Sequence, residues 1–235
     1  MKFKKPKFWN NINFLSVCLL PLSLVTIVFN FIKSKVITEQ RFNIPIICVG
    51  NIFIGGTGKT PMTEYLIKIF KTKRVAVLSR GYKRNTKGFI IANNTCSPAN
   101  LGDESYQLYR KFHNTLIACD NNRVNGVKKI IEYNPKIELI ILDDAFQHRK
   151  IHRDIDILLT EYDNLFIDDQ LLPIGRLREH KKEAKRADII IITKCAHDIS
   201  KKEMDEIIRR IRTSIHQKIY FSYIKTSSYI NMNTL

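Results

Sequence analysis

Three glycines, a lysine and a threonine lie close together in "FIGGTGKTP" (53–61), and these residue types are suited to holding a nucleotide's phosphates. A glycine-rich turn between a strand and a helix offers successive backbone N–H groups and the helix N-terminus to an anion. Gly55, Gly56, Thr57 and Gly58 supply that turn. Lys59 is placed to neutralise the β- and γ-phosphates, and Thr60 to coordinate Mg²⁺ through its hydroxyl. The common spacing G-x-x-x-x-G-K-[ST] has a glycine where Phe53 stands. The run "IELIILDD" (137–144) adds an apolar segment that delivers Asp143 and Asp144 at its end. Such an acid pair is the second metal-binding element of sites of this type; the alternative is that the two acids cap a turn.

These residues need a scaffold to bring them together. "PIICVG" (45–50) reads as a buried strand entering the loop. "PMTEYLIKIF" (61–70) reads as a helix with Met62, Tyr65, Leu66, Ile69 and Phe70 on one face and Pro61 in its first turn. Further strands are expected at 74–79, 115–119, 137–142, 155–160 and 188–193, with a strand-like run at 218–225. Helices are expected at Glu104–Phe112, Arg123–Tyr133 and Lys201–Arg212, and Ser200 with Glu203 has capping-box spacing before the last. Apolar strands separated by helices imply a P-loop NTPase-like α/β fold, a mostly parallel sheet with helices on both faces.

Composition agrees with a globular chain. Of 235 residues 44 % are hydrophobic, and 9 Gly and 7 Pro are too few for a low-complexity or disordered protein. Five cysteines occur without a C-x-x-C pair, which argues against a disulfide framework or a zinc site and fits a reducing compartment. A formal charge of +17 attracts nucleic acid, acidic lipid and phosphorylated ligands alike. Residues Phe14–Ile32 carry no charge for 19 residues, close to the roughly 20 that span a bilayer. Pro21 and several small polar residues weaken a spanning helix, and lysines on both sides give no orientation. Residues 1–36 are therefore expected to form a membrane anchor or interfacial helix, with a buried helix or a signal peptide as alternatives. Residues 37–235 are expected to form the phosphate-binding domain.

The segments "VGNIFIGGTGKTP", "LSRGYKR", "GDES", "LDDAFQHR" and "LLPIGRLRE" resemble, in order and spacing, the tetraacyldisaccharide 4'-kinases, which phosphorylate the lipid A precursor. That family shares the shortened loop, so Phe53 fits its pattern. The resemblance implies an ATP- and Mg²⁺-dependent kinase with a glycolipid substrate, acting on an anionic membrane surface at the cytoplasmic face of a bacterial inner membrane. It implies neither a nucleic-acid nor a protein partner. It matches Lys59 and Thr60 to the phosphate lysine and metal threonine, and Asp143 and Asp144 to the metal acids. Asp103 matches the catalytic aspartate, with Ser105 where a proline is usual. A carboxylate after a glycine can accept a proton from a sugar hydroxyl; it can equally cap the helix that follows. Arg123, Arg178 and Glu179 match further active-site residues, the arginines suited to phosphate contact. Gln147 and His148 belong to the same signature, His148 reading as a loop-orienting residue rather than a base. The family continues for roughly another hundred residues, with a histidine that pairs with the aspartate, so a C-terminal part is expected to be missing here.

"RLREHKKEAKR" (176–186) clusters six cations that suit either a solvated face or anionic headgroups. "ITKC" (192–195) is a poor match to a guanine-reading N-K-x-D loop, because Thr193 and Cys195 depart from it.

Overall fold

The computed structural model describes residues 38–172, 174–211 and 214–225. Eight strands form one sheet: β1 (Ile46–Gly50), β2 (Val75–Ser79), β3 (Ile90–Ile91), β4 (Leu116–Cys119), β5 (Leu139–Asp143), β6 (Ile155–Glu161), β7 (Ile189–Thr193) and β8 (Lys218–Phe221). Their order is β3-β4-β2-β5-β1-β6-β7-β8. All neighbours run parallel except β3, which pairs antiparallel with β4 as a two-residue edge that the sequence pattern is too short to reveal.

Because successive side chains point to opposite faces, each central strand feeds two cores. Ile46 and Cys48 of β1 join Leu78, Ile140, Leu142 and Leu158 on one face, while Ile47 and Val49 join Val77, Ile141 and Leu159 on the other. Helices α1 (Lys59–Ile69) and α3 (Asp103–Lys111) cover the second face through Leu66, Ile67 and Leu108. The first face is covered by α4 (Arg123–Tyr133) and α5 (Lys201–Ile211), with 3-10 turns at Phe166–Asp168 and Lys181–Arg186. The short α2 (Pro98–Leu101) leads into α3.

Two expectations change in detail. Helix α1 begins at Lys59, and its buried face is Thr63, Leu66 and Ile67, whereas Tyr65 and Ile69 are exposed. Thr63 is drawn inward because its hydroxyl meets Asp143. Ser200 does accept the Glu203 N–H at 3.2 Å, but the Glu203 carboxylate accepts from the Tyr162 hydroxyl instead of returning to the cap. The apolar stretch Phe14–Ile32 lies outside the described residues, and among the described residues no helix is long and apolar enough to cross a membrane.

Candidate active site

The chain runs outward from β1 to β2 and β4, returns to place β5 beside β1, and then builds β6 to β8 on the other side. Ligands of open α/β sheets sit at the carboxyl ends of strands where the order reverses in this way. The loop after β1, the acids after β5 and the start of α3 all lie at that edge.

The loop is held from outside. Ile54 N–H donates to the Arg176 carbonyl at 2.9 Å, and Arg178 N–H donates to the Ile52 carbonyl at 2.7 Å. Phe53 is buried between these rungs, bridged to Leu177, with the Arg176 guanidinium 5.2 Å from its ring centre. The phenyl ring therefore roots the loop where the longer motif has a flexible glycine. Inside the turn, the Asn51 amide donates to the Thr57 hydroxyl at 2.6 Å, and the Thr193 hydroxyl donates to the Thr57 carbonyl at 3.0 Å. Gly55 (φ 145°) and Gly58 (φ 84°) take backbone angles that other residues resist. Gly58 caps α1 without a side-chain bond. Among the described residues no protein acceptor meets the backbone N–H groups of Gly56, Gly58, Lys59 or Thr60. Thr57 differs: its N–H turns back to the Gly55 carbonyl at 3.1 Å. Four open donors at a helix N-terminus fit a polyphosphate.

Asp143 ends β5, buried, and accepts from the Thr63 hydroxyl at 3.2 Å. Burial pushes its carboxyl up to about 6, with the nearby charges of Glu104 and Asp144 adding to the effect. Asp144 follows in left-handed backbone (φ 47°). Burial acts upward on it too, but hydrogen bonds from Arg178 and the charges of Lys59, Arg178 and Arg123 outweigh that and hold it below the ordinary carboxylate value. Arg178 grips Asp144 with both terminal nitrogens, at 2.8 and 3.3 Å, and the Lys59 ammonium lies 3.8 Å away. Among the described residues no cluster of three or more His, Cys, Asp or Glu side chains is built to hold a metal. Two carboxylates and a threonine suit Mg²⁺, which takes few protein ligands and completes its shell from phosphates and water.

The raised Asp143 value has a thermodynamic sign. Between about pH 4 and 6 the folded metal-free chain keeps a proton that the unfolded chain releases, so Asp143 makes stability fall as pH rises through that window. Asp143→Asn removes this titration. Relative to the unsubstituted chain, the variant is expected to gain about 2 kcal/mol between pH 4 and pH 7, at about 1.4 kcal/mol per pKa unit. Urea unfolding at both pH values measures it, and a pH-independent difference would contradict the buried-acid geometry.

Asp103 is exposed as the first residue of α3. The helix cap is Gly102, so Asp103 is not the N-cap. Gly102 (φ 82°) packs so close to the loop after β2 that an added Cβ would come within 2.5 Å of the Tyr82 carbonyl oxygen. Two residues beyond Asp103, the Ser105 hydroxyl meets that of Ser79 at 2.5 Å, tying α3 to the carboxyl end of β2, the neighbour of β5. The carboxylate is thereby carried on the same edge as Asp143, and Glu104 is close enough to Asp143 to act on its ionisation.

Arg123 and Glu179 occupy places other than an open phosphate groove. The Arg123 guanidinium is buried and donates to the carbonyls of Asp120 and Asp143, at 3.4 Å for the latter, so it lies beneath the acid pair. Burial lowers it to about 10, which leaves it charged near neutrality. The Glu179 carboxylate, also buried, accepts from Arg149 at 2.9 Å, Arg186 at 2.8 Å and Gln147 at 3.4 Å. Asn51 and Arg149 lie within the matched segments and Arg186 within the basic run 176–186, but the sequence alone gives none of them, nor Thr63, a role at the site. For Thr63 a signal exists: it is a hydroxyl one turn after Thr60 on the same helix.

The sequence profile of the family described as tetraacyldisaccharide-1-P 4'-kinase matches residues 15–232. The tetraacyldisaccharide 4'-kinase of Flavobacterium johnsoniae is 45 % identical over 203 residues, covering 86 % of this chain and 60 % of the relative. That of Bacteroides fragilis is 48 % identical over 186 residues, covering 78 % and 50 %. The crystal structure of LpxK from Aquifex aeolicus in complex with ATP superposes with a TM-score of 0.70 at 27 % identity, covering 89 % of this chain and 82 % of that one. The chain thus spans about half to two-thirds of the length of the curated relatives it matches.

Proposed function

This chain belongs to the tetraacyldisaccharide 4'-kinase family, and on that premise we propose that it transfers the γ-phosphate of ATP to the 4'-hydroxyl of a tetraacyldisaccharide 1-phosphate. The observation that carries the reading is the convergence of the phosphate loop, the acid pair and the Asp103 end of α3 on one sheet edge. The open N–H groups of the loop and the Lys59 ammonium would hold the β- and γ-phosphates. Thr60, Asp143 and Asp144 would hold Mg²⁺, which, when bound, neutralises charge on the transferring phosphate. Asp103 would accept the proton of the attacking hydroxyl. Arg123 keeps the end of β5 in place, and Glu179 sets the segment that carries Arg178. The apolar segment within residues 1–36 is proposed to keep the domain at the cytoplasmic face of the inner membrane, where the glycolipid lies.

The test is product analysis with γ-labelled ATP and acylated disaccharide 1-phosphate. Label is expected in the lipid, and Lys59→Ala is expected to remove it. Label released only as inorganic phosphate would replace this reading with that of a membrane-associated ATPase whose acceptor is water.

A further inference from the structure

A second concave site lies away from the phosphate loop, on the face covered by α5. A cavity of about 810 Å³ opens between the 3-10 turn Lys181–Arg186 and the last turn of α5. Its floor is apolar, with the half-buried Ile167 beside the buried Phe166, Ile190 and Ile211. Its rim is cationic: Lys181, Lys182, Lys185, Arg209 and Arg210 line it, against one carboxylate, Glu206. Two of the five have protein partners, since Arg210 pairs with Asp168 at 2.5 Å and Lys181 donates to the Ile167 carbonyl at 3.1 Å. Among the described residues no carboxylate lies within ion-pair distance of Lys182, Lys185 or Arg209. The local field is felt by His180 on the same rim, which burial, reinforced by Lys182 and Lys181, holds below the ordinary histidine value.

We propose that this cavity binds the headgroup of an anionic phospholipid, its phosphate on Lys182, Lys185 and Arg209 and the first carbons of its chains over the apolar floor. A free phosphate would satisfy the cations but leave most of the volume and all of the apolar floor unused. An uncharged lipid would leave three cations without a counter-charge. Lipid is chosen over a soluble amphiphile because the chain is read above as a membrane-surface enzyme, and on that point the inference rests on the proposed function. The site makes a lipid-selective contact that an apolar anchor alone lacks, since hydrophobic insertion does not distinguish headgroup charge.

The test uses the full chain with vesicles of phosphatidylcholine alone and of phosphatidylcholine with phosphatidylglycerol, read by sedimentation. A basic residue near an anionic surface strengthens binding about fivefold. The combined variant Lys182→Gln, Lys185→Gln, Arg209→Gln is therefore expected to lose roughly a hundredfold of the preference for anionic vesicles while binding phosphatidylcholine vesicles unchanged. Lys128→Gln, Lys129→Gln, Lys136→Gln, which removes the same charge from and beside α4, is expected to keep most of that preference. An undiminished preference in the first variant, or equal losses in both, would overturn the cavity as the site. Relief of vesicle binding by inorganic phosphate as effectively as by short-chain phosphatidylglycerol would also overturn it, in favour of a simple anion site. ATP binding on the same samples reports on the kinase reading, so failure of one is distinguishable from failure of the other.

Discussion

Asp103→Asn is expected to bind ATP with undiminished affinity and to transfer its γ-phosphate roughly 10²- to 10⁴-fold more slowly, the range for loss of a positioned proton acceptor. The structure separates these two effects. Asp103 makes no ion pair among the described residues and stands at the start of α3, apart from the loop that would hold the phosphates. What fixes its place is the backbone: the close packing of Gly102 on Tyr82 and the Ser79–Ser105 hydrogen bond remain when the side chain becomes an amide. An asparagine of nearly equal size keeps the contact with a hydroxyl but has little basicity. Single-turnover transfer to acylated disaccharide 1-phosphate, measured beside equilibrium ATP binding, reads both quantities. Transfer at the unsubstituted rate would remove Asp103 from the chemistry.

Glu179→Ala is expected to destabilise the folded chain by roughly 3–5 kcal/mol, the range for removing one partner of a buried ion pair. Its side chain is 9 % exposed, and Arg149 and Arg186 are only 16 % and 22 % exposed, so their charges cannot turn freely to water. Glu183 bridges the same two arginines at 2.8 and 3.0 Å but is more exposed, and so offsets only part of the loss. Glu179→Gln keeps the volume and an acceptor oxygen and is expected to recover part of the stability. Urea unfolding of the two variants measures the difference. Should alanine leave stability untouched while transfer falls, Glu179 acts on the substrate and not through the segment it anchors.

The sequence reveals strands and helices well because burial on both faces leaves long β-branched runs, as in "DIIIIT" (188–193), and helices between them keep amphipathic spacing. It makes the glycine-rich loop and the acid pair legible because each is built from adjacent residues, and the structure brings the two together on neighbouring strands. It is weaker where contacts span the chain. Glu179 stands beside Arg178 in the motif, yet the two side chains turn to different partners, Arg178 to Asp144 and Asn51, Glu179 to Arg149 and Arg186. Arg123 reads as a phosphate ligand by residue type, but its burial beneath Asp143 depends on how α4 packs against β2 and β4. The two-residue β3 is fixed by pairing with β4 and leaves no periodicity to read.

The rungs that join residues 52–54 to 176–178 bear on how the protein folds. Arg178 reaches Asn51 across 127 residues of sequence, and β1 is flanked by strands that follow much later in the chain. Closing so long a segment carries an entropic cost before any contact rewards it, and non-local pairing of this kind slows folding. As the chain leaves the ribosome, α1 can form early, but the loop at its start lacks both its clamp and its acid pair. The site therefore matures late, only after β5, β6, the 176–178 segment and the Thr193 end of β7 have docked, and a nascent chain shorter than that has the motif without the pocket.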